Sequence, residues 1–563
     1  MKDHQFKHTN DQRRASLVYS QGKPALYSPQ DFFIKRIIDV DNEGDEEEQV
    51  ETRPLLQEDP YFYTEESSNR RSRELLSEER NLLQNNNLIT EDSNSDIIPS
   101  TWETAVKNGL LKTSHHLEIN ALTKSALPLV ITFLLQNSLS LASIFSVGHI
   151  GKAELAGITL GSMTANITGF AAIQGLTTCL DTLCSQAFGA GKFELVGLQF
   201  IRCAIFAITC FIPISIIWVW FSTNLLSLMV KDYELVLIAA KYLQIVSIGM
   251  PGFILFECGK RFLQCQGVFH ASTYVLLVCA PLNALLNWVL VWKFELGYIG
   301  APIAITINYW LMPLGLLCYT IYDQKVLKCW PQNFQINQAF TNWSKMIHLA
   351  LPGVVMVEAE FLGFEIVTLM ASRLGTTELA SQSVVCSIAA LAYQVPFSVS
   401  IATATRVANY IGASLVVNAK KCCTASMNLG LIIGIINSLI ILKFRYQITS
   451  FFTNDEEVIS KVAGVLPLLS IMEIIDCLNA CSAGCLRGQG VQKIGSYINI
   501  FSFYVVGLPI SYIMTFKYDM NIAGLWIGII SGLISMCLLQ FYIVFIGADW
   551  DKIVVDARKR NEE

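Results

Sequence analysis

The sequence predicts an all-α polytopic membrane protein, with twelve transmembrane helices arranged as two six-helix lobes by a parallel internal repeat. Only 15 % of its 563 residues are charged and 52 % are hydrophobic, where soluble proteins carry about 25 % charged residues. The chain is polar up to about residue 115. From about 120 to 546 it holds repeated apolar runs of roughly 20 residues, the length that spans a bilayer as a helix. The second half of that apolar region repeats the first.

Residues 1–115 read as a disordered cytosolic tail. The run "DVDNEGDEEEQVE", Asp39 to Glu51, has too little apolar content to fold and holds much of the acid behind the net charge of -6. Nothing in it points to nucleic acid as a partner. The N-terminus lacks the apolar core of a signal peptide, and its acid argues against an import sequence, so the first span serves as its own insertion signal. "RRAS", ending at Ser16, fits a kinase site, a short pattern that also arises by chance.

The predicted spans run in order over 122–147, 154–182, 196–221, 236–258, 269–292 and 300–322 in a first lobe, 116–330. They continue over 344–371, 379–404, 422–442, 461–483, 495–515 and 522–546 in a second lobe, 331–546, before a cytosolic tail, 547–563. An even count puts both termini on one side. With that side cytosolic, the inner loops carry Lys192, Lys260, Arg261, Lys325, Lys328, Lys345, Arg406, Lys420, Lys421, Arg487 and Lys493. The outer loops carry fewer basic residues: Lys152, Lys231, Lys293, Arg373, Lys443, Arg445, Lys461 and Lys517. The bias follows the positive-inside rule, and it places the sequon at Asn342 in the cytosol, unglycosylated. Most of the sixteen cysteines, such as Cys203, Cys210, Cys279 and Cys537, sit within apolar runs as small hydrophobes. There is no C-x-x-C, and neither a metal site nor a cofactor is predicted.

The repeat has an offset of 224. "ALPLVITFLLQNSLSLASIFSVGHIGKAELA" from Ala126 aligns with "ALPGVVMVEAEFLGFEIVTLMASRLGTTELA" from Ala350, so Pro128 matches Pro352, Gly151 matches Gly375 and Glu154 matches Glu378. Downstream, "FGA" at Phe188 matches "IGA" at Ile411, and "LQCQG" at Leu263 matches "LRGQG" at Leu486. Six spans per copy preserve orientation, so a pseudo-two-fold axis should run along the membrane normal, an architecture suited to alternating access.

The copies differ in charge. Opposite Glu358, Glu360 and Glu365 the first copy has Leu134, Gln136 and Leu141. Each charge at a helix centre costs about 2.5–3.5 kcal/mol on insertion scales, so acids here call for a cavity, a partner or a bound proton. On a helical wheel Glu358 and Glu365 lie about 20° apart, whereas Glu360 and Glu365 lie about 140° apart. A straight helix therefore cannot aim all three into one narrow pocket, and Pro352 offers a bend. Glu473 and Asp476, three apart in "SIMEIIDCLNACSAGCLRGQG", share a face of the tenth span with Asn479. Intramembrane acids are functional by default. Glu360, Glu365 and Asp476, with Glu358 and Glu473 as further candidates, are expected to take up protons and a cationic substrate in turn. Gln136 and Asn166 are neutral polar groups within spans, placed to bond a ligand or another helix. Glu257 precedes Lys260 and Arg261 by three and four residues, the spacing of a local ion pair. Asp181 and Arg406 suit bracing roles near helix ends, and His149 reads as surface-exposed.

These stretches resemble the multidrug and toxic compound extrusion (MATE) transporters over nearly all of residues 120–546. "QNSLSLASIFSVGHIGKAELAGITLG", "GLTTCLDTLCSQAFGAGK", "PGFILFECGKRFLQCQG" and "CLRGQGVQKIGSYINIFSFYVVGLPI" carry the likeness with the seventh span. The long acidic tail resembles the fungal branch, which includes the ethionine-resistance type. The resemblance implies a V-shaped twelve-helix fold and proton-coupled antiport of organic solutes or xenobiotics by a carrier expected to act as a monomer, in the vacuolar membrane rather than the plasma membrane. It also implies an acid-rich second-lobe cavity. Two glutamates five apart match Glu360 and Glu365, and an acid ten residues before the Leu of Leu-Arg-Gly matches Asp476. Where many relatives have two aromatics after the first glutamate, this chain has Phe361 and Leu362. Its predicted first span has no acid, unlike several prokaryotic members. A lipid-linked substrate flippase of the same superfamily is an alternative, but it would favour a basic, lipid-open cavity. A receptor or scaffold with a regulatory tail is another. No nucleophile or metal constellation suggests an enzyme.

Overall fold

The structure is a computed structural model that describes residues 113–562, apart from 228–229, 231, 324–325, 333 and 454. The acidic run, Ser16, Lys231 and Lys325 lie outside the described residues. The chain forms α1 His115–Gly148, α2 Lys152–Gly189, α3 Phe193–Ser227, α4 Tyr233–Cys265, α5 Ala271–Lys293 and α6 Gly297–Tyr322. There follow α7 Trp343–Ser372, α8 Thr376–Gly412, α9 Val416–Lys443, α10 Arg445–Phe452, α11 Glu456–Gln489, α12 Gln492–Lys517, α13 Asn521–Ile546 and α14 Trp550–Asn561.

Eleven of these helices, all except α7, α10 and α14, are long and apolar enough to cross a membrane. The twelfth predicted span is α7, the helix that carries three glutamates. At 30 residues it measures about 45 Å, more than the roughly 30 Å hydrocarbon core requires. Large apolar side chains face outward along the bundle, among them Phe145, Trp220, Leu314, Leu439 and Leu538, as a lipid-facing surface requires. Helices overrun their predicted bounds because polar caps extend them beyond the apolar windows. Asp455, for example, accepts from Glu457 N at 2.9 Å and Val458 N at 3.3 Å at the start of α11.

In the first half α4 packs against α6 and α2, and α1 packs against α5. In the second half α11 is central, touching α8, α9 and α13, while α7 packs along α12. The halves meet where the repeat brings its own equivalents together. Gly189 at the end of α2 lies against the backbone of Asn409 in α8, and Gly412 at the end of α8 lies against the backbone of Gln186 in α2, with no room for a Cβ at either glycine. Gln186 Nε2 donates to Gly488 O at 3.2 Å, and Asn409 Nδ2 donates to Cys265 O at 3.4 Å. At an offset of 223, Gln186 corresponds to Asn409 and Cys265 to Gly488, so the two bonds are images of each other about the pseudo-two-fold axis.

A charged link accompanies them. Arg406 of α8 pairs through Nε with Glu118 Oε2 of α1, and its Nη2 lies 3.0 Å from Glu118 Oε1. Tyr410 and Thr113 hydroxyls donate to the same carboxylate at 2.7 and 2.6 Å. The first helix thus does contain an acid, at its buried first turn rather than at mid-span, because α1 starts earlier than its apolar window.

The expected C-terminal tail folds as α14. Asp549 caps it by accepting from Lys552 N at 3.1 Å, and Trp550, Ile553, Val554 and Ala557 are buried on one stripe. It lies across the junction of the halves. Lys192 donates to Asn561 O at 2.6 Å, Arg560 Nη1 to Gln186 Oε1 at 2.8 Å, and Lys345 to the carbonyls of Lys559, Arg560 and Glu562 at 3.0–3.3 Å. The links named here therefore gather at the face that carries the C-terminus. Lys260, Arg261, Arg406 and Arg487, assigned to inner loops from sequence, are instead held inside the helix packing. Among the described residues, Lys192 and Lys345 join Lys552, Arg558, Lys559 and Arg560 of α14 at this face.

Two outcomes follow. Glu118→Ala strands the Arg406 guanidinium and should lower stability by about 3–5 kcal/mol, read as a lower thermal midpoint in detergent; Glu118→Ala/Arg406→Ala should lose less than the two single variants combined. Ending the chain after Ala548 removes α14 and should lower the midpoint while leaving a monodisperse protein.

Candidate functional site

Helix α7 is held at mid-height from two sides. Gly353 packs against Gly175 O and Thr178 Oγ1 of α2, and Gly363 against the Phe503 ring of α12. Asn499 Nδ2 donates to Met356 O at 3.2 Å and the Tyr504 hydroxyl to Ala359 O at 3.3 Å. This clamp sorts the three glutamates, each of which keeps part of its surface open. Glu358 lies on the α12 side, within electrostatic reach of Tyr504. Glu360 faces α8 and α11, in the field of Arg487, Asp476 and Tyr393. Glu365 lies further along α7 beside Cys386 of α8.

Asp476 of α11 is buried next to Glu360. Glu473, one turn earlier, is fully buried, and among the described residues neither of its oxygens has a partner at full hydrogen-bond geometry. It faces Asn437 of α9, near the contact where Gly430 and Gly434 bring α9 and α11 close. Asn479 Nδ2 donates to Leu533 O at 3.1 Å and ties α11 to α13. The structure thus brings Glu360 and Asp476 together, places Glu365 five residues further along α7 beside Cys386, turns Glu358 toward α12, and leaves Glu473 between Asp476 and Asn437 of α9.

Arg487 sits where this cluster meets the other half. Its Nη2 donates to Ser400 Oγ at 2.6 Å, and its Nε lies 3.7 Å from Asp181 Oδ2 of α2. Thr182 Oγ1 donates to Arg487 O at 2.6 Å. The other Asp181 oxygen is 2.7 Å from Arg261 Nη1 of α4. One turn away, Glu257 Oε1 is 2.7 Å from Lys260 Nζ, and Gln136 Nε2 donates to the same oxygen at 3.1 Å. Lys260 Nζ also lies over the Phe133 and Phe256 rings, 5.0 and 5.5 Å from their centroids. Arg261 departs from the expected local trio because Glu257 is already taken by Lys260 and Gln136, while Asp181 would be a buried carboxylate without a close cation. Gln136 belongs to this first-half network. Asn166 is exposed at the start of the π-helical turn Asn166–Ala171, which packs against α7.

Sequence reasoning missed Arg487 and Tyr393. Arg487 follows Asp476 by eleven residues, about 20° on the helical wheel, which puts it on the same face of one long helix. That spacing was the available signal, and assigning Arg487 to a loop concealed it. Tyr393 carries no comparable mark within the apolar run of α8.

The MatE family model matches residues 128–289 and 352–513, two segments at the repeat offset. An uncharacterized transporter of Saccharomyces cerevisiae is 42 % identical over 443 residues, covering 78 % of this chain and 63 % of that protein, less than two thirds of its length. An uncharacterized transporter of Schizosaccharomyces pombe is 39 % identical over 79 % of this chain and 82 % of that protein. Multidrug and toxin extrusion protein 2 of Mus musculus is 30 % identical over 80 % of this chain and 78 % of that protein. The crystal structure of the eukaryotic MATE transporter AtDTX14 superposes with a TM-score of 0.75 at 29 % identity, over 80 % of this chain and all of that one. With its repeated spans, buried second-half acids and these relatives, the chain belongs to the MatE family, as a multi-pass membrane transporter of the fungal branch and not an enzyme.

Proposed function

We propose that this transporter exchanges protons for small organic cations, xenobiotics among them, by alternating access. The observation that carries the reading is the pair formed by Glu360 of α7 and Asp476 of α11, with Glu365 five residues further along α7, in one half only. Carboxylates there attract a cation or a proton, and the two compete for the same charge. Two acids this close hold one negative charge at lower cost than two. A proton arriving at the pair weakens its hold on a bound cation, and it favours one conformation only through its different affinity for the two. The names of the mouse and Arabidopsis relatives, multidrug and toxin extrusion and detoxification, support toxic organic solutes as the substrate class.

We take the face that carries α14 as cytosolic, on the basic residues gathered there. The halves then meet tightly on the cytosolic side, and the acids open toward the outside or the vacuolar lumen, where an acidic compartment supplies protons. Glu358 and Glu473 act in packing, beside Tyr504 and Asn437. The carrier works as a monomer, because each half supplies the surface against which the other closes.

Glu365→Gln and Glu360→Gln should each fold and yet lose pH-gradient-driven uptake of an organic cation into proteoliposomes by on the order of tenfold or more. Glu358→Gln should keep most of it. Full exchange by Glu365→Gln would overturn the assignment.

A further inference from the structure

Resting on the proton-exchange reading, we propose that Arg487 transmits the protonation state of the Glu360–Asp476 pair to the contact between the halves, as a cation that both the pair and Asp181 help to neutralise.

The charges that meet across the interface do not balance without the pair. The groups facing Arg487 are Asp181 from α2, Arg261 from α4, Glu360 from α7 and Tyr393 from α8, with Cys485 on its own helix. Asp476 joins through Glu360, and Glu473, one turn before it on α11, bears on it as well; fully buried with no cation beside it among the described residues, Glu473 enters the count as a neutral acid. The neighbouring Glu257 and Lys260 neutralise each other. Arg261 and Arg487 then share a single carboxylate, Asp181, and the share is unequal. Arg261 holds one oxygen at 2.7 Å, while Arg487 stands off the other at 3.7 Å. Among the described residues, neither Arg487 Nε nor Asp181 Oδ2 has a hydrogen-bond partner. The buried set is therefore neutral only when the Glu360–Asp476 pair supplies one negative charge.

Arg487 is also well placed to act on the interface. Its carbonyl accepts from Thr182 of the other half, and the next residue, Gly488, accepts from Gln186. When the pair takes a second proton, Arg261 and Arg487 face each other across the interface with one carboxylate between them. A buried cation left without its partner is strongly destabilising, and separation of the halves at this end lets water reach it. Proton loading thereby loosens the face that carries α14. An exchanger that returns protons to the cytosol needs this direction. With the pair supplying one net negative charge, as a single carboxylate or as two carboxylates around a bound monocation, the set is again balanced and the contact holds.

The test is hydrogen exchange on the purified full chain, read in peptides covering residues 182–192 and 484–492 and corrected for the intrinsic pH dependence of exchange. In the wild type, opening of these segments should rise about tenfold between about pH 8 and about pH 6, a coupling in the usual range for linked sites. Arg487→Gln should be flat with pH, and Arg487→Lys should restore the rise. Glu360→Gln/Asp476→Asn should be open at both pH values, and adding Arg487→Gln to it should restore protection. A wild-type pH response in Arg487→Gln overturns the proposal. If that variant does not fold, wild-type protection in Glu360→Gln/Asp476→Asn at the higher pH overturns it instead. A flat wild type that still shows pH-driven exchange overturns this inference alone, whereas a flat wild type without such exchange overturns the proton-coupled reading as well.

Discussion

Two glycines set the geometry on which the rest of the molecule depends. Gly189 and Gly412 let the ends of α2 and α8 cross with backbone against backbone, and a side chain at either position would wedge the halves apart. The crossing brings Gln186 to Gly488 and Asn409 to Cys265, carries Thr182 to Arg487, and provides the platform on which α14 lies. Because the two glycines are equivalents in the repeat, the contact is close to symmetric. It constrains position without favouring either half.

Function enters where the symmetry fails. The first half closes its charges locally, Glu257 with Lys260 and Asp181 with Arg261. The second half keeps Glu360, Glu365 and Asp476 partly open or without a close cation, and it contributes Arg487 to the interface. A symmetric contact that is energetically near balance can be tipped by a small asymmetric term, and a buried charge supplies more than enough. On the proposed reading, acids in one half and a contact between both halves let a local protonation act on a global rearrangement. Glu118 and Arg406 form a second charged link at the same face. It is fully paired and shares no residue with the Glu360 cluster, so it serves as a fixed brace.

The spans and the repeat were legible because they rest on composition and spacing alone. Roughly 20-residue apolar runs must cross a bilayer, and an offset that aligns Pro128 with Pro352 and Glu154 with Glu378 has no simpler source than duplication. The helical wheel separated Glu358 from Glu360, and the clamp on α7 shows why, with Tyr504 on one side and Arg487 on the other. What could not be read were tertiary choices. Arg261 takes Asp181, eighty residues away, over Glu257 one turn away, because Glu257 is already occupied. Arg487 looked like a loop residue because α11 continues past its apolar window. The helix at Trp550–Asn561 was read as a plain tail, because its many charges mask the stripe of Trp550, Ile553, Val554 and Ala557 that the fold buries.

On the proposed reading, protons and an organic cation compete for one set of carboxylates. The most direct measurement is proton release from the purified protein in weakly buffered detergent when a lipophilic organic cation such as tetraphenylphosphonium is added near neutral pH. The account predicts saturable release of about one proton per cation bound, lost when Glu360 and Asp476 are both made neutral. Saturable binding of the cation with no proton released would contradict it.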